Sequence, residues 1–239
     1  MTAEAFREEV KGPEDLERFP PEYKKAIGKI VVSHAANELK GALTFDEPAI
    51  RMAPNPMFKW LVSRNTMEEF GHHILFARLA ESMGLEWKDR KPLTIFDFPM
   101  VSWVEFGAIK AIVDIAELIE LDDLIVSTYL PLRAVAKKTY AEEKFHVGLG
   151  RDIVKDLLKE DPSCRPKLQA AFNQLFPETL DFFGSSSSTN NEMFLRWGLK
   201  RRSNREMRLD YVNQVREYLL KTGFEMPPIP EKYRGENLS

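Results

Sequence analysis

One cysteine, Cys164, stands in a chain of 239 residues. That excludes an internal disulfide framework and any cage of thiolates around a metal, and it fits a reducing compartment. The chain also lacks an excess of charge of one sign: 34 Lys and Arg face 37 Asp and Glu, for a formal net charge of −3. Such a balance gives no global attraction to nucleic acid or to an anionic membrane, so neither is expected as a partner and any anion site must be local. No long hydrophobic run is present. The most apolar stretch, "FGAIKAIVDIAELIE", is interrupted by charges well short of a membrane span, and the acidic "MTAEAFREEV" lacks the basic-then-apolar order of a secretory signal. A soluble, cytoplasmic protein is the simplest expectation. Finally, no run alternates apolar and polar residues with period two for long enough to make a sheet.

What the chain has instead is apolar residues at helical spacing almost throughout, which predicts an all-α fold. The first long helix begins near Pro21 and stops within the proline-rich "DEPAIRMAPNP" by residue 56; the second runs from about Met57 to Met83, with Gly84 as its stop. Ser102 and Glu105 form a capping box that opens the third, which ends near "ELDD". The fourth spans roughly Leu124 to Glu160, with a kink or broken turn at Pro131. Beyond it come a helix on "RPKLQAAFNQLF", a flexible connector "GSSSSTNN", a second capping box at Ser203 and Glu206 opening a helix to Thr222, and a loose ending "PPIPEKYRGENLS". The expectation is one domain over residues 1–239: a ferritin-like four-helix bundle over about 22–160 with a C-terminal helical extension over about 161–229.

Two of the long helices carry the same pair. Residues three apart share a helix face, so Glu69 with His72 and Glu143 with His146 each point one way. In carboxylate-bridged dimetal bundles two helices each supply Glu-x-x-His and the other two supply one acid each, because two cations about 3.5–4 Å apart need bridging carboxylates and terminal imidazoles. The first helix offers Glu38; the third offers Asp114, Glu117 or Glu120. The doublets Glu68-Glu69 and Glu142-Glu143 also allow a register one residue earlier, and His73 competes with His72. A single Glu-x-x-His is most often a surface pair, but two of them inside long helices favour metal. Buried carboxylates facing one another repel unless cations or protons neutralise them. Iron suits such an oxygen and imidazole shell, and manganese does also.

The segments "VSHAANELKG", "EEFGHHILFARLAESMG", "TIFDFPMVSWVEFGAIKAIVDIAE", "AEEKFHVGLG" and "RWGLKRRSNREMR" together resemble, in order and separation, the catalytic subunit of the phenylacetyl-CoA epoxidase family, ferritin-like di-iron oxygenases related to benzoyl-CoA epoxidase. The likeness spans roughly residues 18 to 229. It implies a ligand set of Glu38, Glu69, His72, Asp114, Glu143 and His146 for two iron ions, with Glu68 and Glu142 orienting the histidines. It further implies dioxygen as co-substrate, electrons from an external reductase, an acyl-CoA thioester substrate, and a related ferritin-like subunit or a second copy as partner. Two departures stand out. The family has Asp-Glu and Gly where this chain has Glu68-Glu69 and His73, placing a more basic group near the metals, and several loops and the tail are shorter. His73 motivates an alternative, oxygenation of another small molecule at the same centre, including N-oxygenation. A non-catalytic iron-binding scaffold is a third reading, disfavoured because all six ligand positions are filled. The basic run with Lys200, Arg201, Arg202, Arg205 and Arg208 is a candidate contact for CoA phosphates, or else a solvated face or subunit contact.

Overall fold

The computed structural model describes residues 6–238; the first five residues, part of the segment read for a targeting signal, and Ser239 lie outside them. Among the described residues the chain is all-α, with no strand and one isolated parallel bridge between Val10 and Tyr129. Four long helices, α1 (Pro21–Gly41), α3 (Pro56–Ser82), α4 (Trp103–Leu124) and α5 (Leu130–Glu160), make the ferritin-like bundle, with α1 packed along α3 and α4 along α5. Four shorter helices complete it: α2 (Glu47–Met52), α6 (Arg165–Thr179), α7 (Thr189–Arg196) and α8 (Asn204–Thr222).

The helix ends follow local chemistry. Asn55 accepts from the Phe58 amide at 2.9 Å and Pro56 occupies the first turn of α3, a position where its missing N–H costs nothing. Gly84 takes φ +68° after α3 while the Leu85 amide reaches back to the Ala80 carbonyl, which satisfies carbonyls that the helix leaves unpaired. Both predicted capping boxes, Ser102 with Glu105 and Ser203 with Glu206, are present.

Helix α4 is apolar on nearly every side because it is enclosed on every side. Ile109, Ile112 and Ile115 are fully buried, and α6 and α8 lay Leu168, Phe172, Phe176, Val212 and Val215 into the same core. The seam between α4 and α5 is unusually close. A Cβ added to Gly150 on α5 would lie 2.3 Å from the Ala111 amide nitrogen and from the Lys110 carbonyl carbon, and one on Gly107 of α4 would lie 2.6 Å from Ile153 Cγ2. Glycine at 150 lets the two backbones touch, two turns or less from Glu143 and His146.

Several boundaries differ from the expectation. The first helix does not simply stop at the proline-rich segment: α1 passes through a π turn, Ala42–Asp46, directly into α2, where Pro48 sits in the first turn. Helix α5 starts at Leu130 rather than near Leu124 and is neither kinked nor broken, since Pro131 belongs to its first turn; Ile125 to Tyr129 form a loop pinned by Arg133 Nε donating to the Ser127 carbonyl at 2.7 Å. The connector is shorter than its composition suggested, because Thr189 and the two asparagines open α7. The ending is packed: Glu231–Glu236 form a 3₁₀ turn, with Tyr233 and Leu238 buried.

Candidate metal centre

Glu38 on α1, Glu69 and His72 on α3, Asp114 on α4, and Glu143 and His146 on α5 are all buried. They form two overlapping groups whose ligand atoms lie within 4.8 Å of one another: Glu38, Glu69 and His72, and Glu69, Asp114, Glu143 and His146. Glu69 belongs to both. Glu143 links them as well, lying 3.2 Å from His72 Nδ1 and 2.9 Å from His146 Nδ1. Of the three acids left open on α4, two border the site. Asp114 faces the cluster; Glu117 lines the same void and forms a third such group with Glu38 and His34, lying 3.4 Å from that imidazole, which stacks on Phe76; Glu120 is drawn off by Lys200.

The glutamates next to the inner pair cross the bundle. Nε2 of His146 on α5 meets Glu68 of α3 at 3.0 Å, and Nε2 of His72 on α3 meets Glu142 of α5 at 3.0 Å. Each imidazole thus donates its outer N–H to an acid on the opposite helix, which turns Nδ1 toward the carboxylates. This geometry selects Glu69 and Glu143 as the inward acids over Glu68 and Glu142. His73 is not part of the cluster: its Nδ1 donates to the Ala35 carbonyl at 2.8 Å and its ring sits edge-on to Trp87. The expectation of a more basic group close to the site is corrected, because one residue on from His72 is a rotation of about 100° around the helix.

Lys110 is the feature the sequence reading missed. Its ammonium is buried on α4, one turn before Asp114, and donates to Glu69 Oε1 at 2.7 Å while lying 2.7 Å from Asp114 Oδ2 and 3.3 Å from Asp46 Oδ1. The π turn carries Asp46 to this place, where Asn65 Nδ2 also donates to it at 3.0 Å. The i, i+4 spacing of Lys110 and Asp114 within an apolar run was the available signal.

The electrostatics of so many buried charges are uneven. Burial, with Glu117 beside it, pushes the Glu38 carboxyl well up, and burial does the same to Asp114 and takes Asp46 to about 7, in both cases against the pull of Lys110. Burial also opposes ionisation of Glu69, but Lys110 and His146 outweigh it and hold that carboxyl well below its usual range; His146 likewise takes Glu143 down to about 2. Both imidazoles rise despite burial, His72 through Glu143 and Glu38, and His146 through Glu143 and Glu69.

The residues fit a pair of divalent cations. Buried Glu38 Oε1, His72 Nδ1 and Glu117 Oε1 have no hydrogen-bond partner, whereas Asp114 Oδ2 is ion-paired with Lys110 at 2.7 Å. Lone pairs left over in a buried site are what a metal ion satisfies. A void of about 30 Å³ lies among Glu38, Asp46, Glu69, Lys110, Asp114, Glu117 and Glu143. Next to it, sharing Asn37 and Phe182 in its wall, is a cavity of about 710 Å³ between α1 and the C-terminal helices.

The sequence matches the phenylacetic acid catabolic protein family over residues 10–238. The chain belongs to that family. It is 27% identical over 220 residues, covering 87% of this chain and 71% of the relative, to one of the subunits of the 1,2-phenylacetyl-CoA epoxidase of Escherichia coli (strain K12). The family resemblance read from the five segments is therefore borne out. In this member of the phenylacetic acid catabolic proteins, the "LKRRSNREMR" run serves mainly to hold the C-terminal helices in place. Arg201 and Arg202 bind Asp122 and Asp123 of α4, Arg205 donates to the Glu236 carbonyl, and fully buried Arg208 donates to the Leu180 carbonyl and Ser186 and pairs with Glu236. All five candidate phosphate contacts are thus already engaged within the chain, Lys200 with Glu120, and of the five Lys200 alone lines the large cavity. No helix among the described residues is long and apolar enough to cross a membrane.

Proposed function

We propose that this chain is the oxygen-activating subunit of a ring epoxidase, holding two iron ions with Glu38, Glu69, His72, Asp114, Glu143 and His146 and acting on an aromatic acyl-CoA thioester. The observation that carries the reading is the crossed arrangement of Glu68 with His146 and Glu142 with His72, which aims two buried imidazole nitrogens at shared carboxylates. Two iron ions held by these six side chains would, when reduced, supply the activation of dioxygen. Manganese suits the same ligands. The electrons come from a separate reductase, and the E. coli relative, named as one subunit of an epoxidase, supports assembly with further subunits.

The protein's own part is positioning and exclusion of water. The cavity of about 710 Å³ is of the size that encloses a ligand, and its apolar wall includes Ile30, Val32, Leu85, Phe182 and Phe183. Lys24, Lys25, Lys29 and Arg90 line it from exposed positions; these cations suit the phosphates of CoA, leaving the acyl end to reach past Asn37 and Phe182 toward the cluster. His73, turned to the Ala35 carbonyl, gives no support to a different substrate, and the intact ligand set disfavours a scaffold.

The test is metal analysis followed by turnover. Native protein is expected to hold about two iron ions per chain, and Glu143→Ala, which removes an acid touching both imidazoles, is expected to lose most of both. Iron-loaded protein with its reductase, dioxygen and phenylacetyl-CoA yields an oxygenated thioester. Absence of product across a panel of aromatic acyl-CoA thioesters refutes the substrate assignment, and absence of bound metal refutes the centre.

A further inference from the structure

We propose that Lys110 is a tethered cation that stands in for a metal ion between Asp114 and Glu69 in the metal-free chain and is handed over to Asp46 when that position is filled. The proposal rests on the metal-centre reading above and adds a residue that holds the site together without metal and limits how tightly metal binds.

The charge balance points to this role. Glu38, Glu69, Asp114 and Glu143 are the four acids assigned to metal above, and two divalent ions neutralise them completely; Glu117, which also lines the void, has His34 at 3.4 Å, so a lysine among the four would be surplus positive charge. Asp46 is a further acid at the void. It lies outside all three groups of ligand atoms that could hold a metal, yet it is 2% exposed and only 3.3 Å from Lys110 Nζ. Lys110 and Asp46 therefore form a neutral pair left over once the other four acids are matched. Two further features hold Asp46 in readiness: the π turn that carries it inward and the hydrogen bond from Asn65 Nδ2 at 3.0 Å. Without metal, the ammonium donates to Glu69 at 2.7 Å and reaches Asp114 at 2.7 Å, two carboxylates of the group formed by Glu69, Asp114, Glu143 and His146. A lysine ammonium is a compact charge with three donors on a flexible stem, so it can keep Asp46 while releasing the other two without any movement of α4.

The consequence is competition. A divalent ion entering the Asp114 side must displace the ammonium, so that position binds more weakly than the one at Glu38 and His72, and the site fills in order.

The experiment is Mn²⁺ titration by calorimetry of the metal-free full chain, together with its melting temperature, for wild type, Lys110→Met and Asp46→Asn. Lys110→Met is expected to bind the weaker of two Mn²⁺ ions about tenfold more tightly and to melt lower without metal, because the acids lose their internal counter-ion. Asp46→Asn keeps the lysine but removes the acid that would retain it; it is expected to bind the weaker ion about tenfold less tightly, with the tighter ion unchanged. Should Lys110→Met not fold, Asp46→Asn alone decides. Weaker or unchanged binding in Lys110→Met, or unchanged binding in Asp46→Asn, overturns the role of Lys110 and leaves the metal centre standing. Wild type that takes up neither Mn²⁺ nor Fe²⁺ overturns the metal centre, and this proposal with it.

Discussion

Two glycines two residues apart on α5 should respond to the same substitution with opposite signs. An alanine Cβ at Gly150 would lie 2.3 Å from the backbone of Lys110 and Ala111, and real Cβ contacts essentially never fall below 3.0 Å. Relieving the clash takes at least about 0.7 Å of separation between α4 and α5, from 2.3 Å to 3.0 Å, because the obstructing atoms are backbone and cannot rotate away. A radial gap of about 0.5–1 Å forfeits a quarter to a half of the dispersion energy of each contact it opens. Overpacking of a tight interior ordinarily costs about 1–3 kcal/mol; Gly150→Ala belongs toward the upper end, since the seam is long and Gly107 meets Ile153 along it. At Gly148 the added Cβ meets nothing within 4 Å, so Gly148→Ala is left with the helix-propensity gain of about 0.5–1 kcal/mol. For a chain of this size each kcal/mol moves the melting temperature by about 2–4 °C. Thermal denaturation of the metal-free proteins, followed by circular dichroism at 222 nm, should therefore place Gly150→Ala several degrees below wild type and Gly148→Ala slightly above it. Metal affinity should fall for the first variant only, because separating the helices moves Glu143 and His146 away from Asp114. If Gly150→Ala melts at or above wild type, the backbone contact is not what sets the spacing of the site.

Glu142→Gln keeps an acceptor for His72 but removes its charge; with the Glu142 side chain 24% exposed, the fold should survive while affinity for the paired Mn²⁺ ion drops about 10–100-fold, and unchanged affinity would show that the crossed acids do not tune the imidazoles. Metal uptake should release protons and strengthen from pH 6 to pH 8. The carboxylates around His72 and His146 hold both imidazoles protonated in the metal-free chain despite burial, and only the neutral ring binds metal, so lowering the pH restores the competing proton. Calorimetry in buffers of different ionisation enthalpy counts the protons released, and a pH-independent affinity would contradict the electrostatics of the cluster.

The helices were legible because their signals are local. The capping boxes at Ser102 and Ser203, the stop at Gly84 and the 3.6-residue pattern each depend on residues a turn or two apart. Errors arose where a local signal had two outcomes. Proline at position 131 fits either a kink or a first turn, and the decision came from packing: the loop before it is held by Arg133 and by the bridge between Val10 and Tyr129. In the same way "SSSSTNN" has the composition of a linker, yet Ser186 is fixed by Arg208 and Glu236, residues 22 and 50 positions further on.

At the site, spacing alone grouped Glu69 with His72 and Glu143 with His146, but left the neighbouring acids and three positions on α4 open. What separates most of them is which side chain answers from another helix: Glu68 is held by His146, Glu142 by His72 and Glu120 by Lys200, whereas Glu117, 3.4 Å from His34, still borders the void beside Glu38. Contacts between residues about 70 to 80 positions apart leave no periodic trace in a single sequence. Asp46 was still less visible, because its inward position depends on a π turn, one residue of slippage that ordinary helical spacing cannot anticipate. A buried lysine beside proposed metal ligands cannot be a solvated surface charge, and it cannot be an isolated core charge either, since three acids surround it. A cation that two carboxylates can release and a third can keep suits a site whose charge changes between two states.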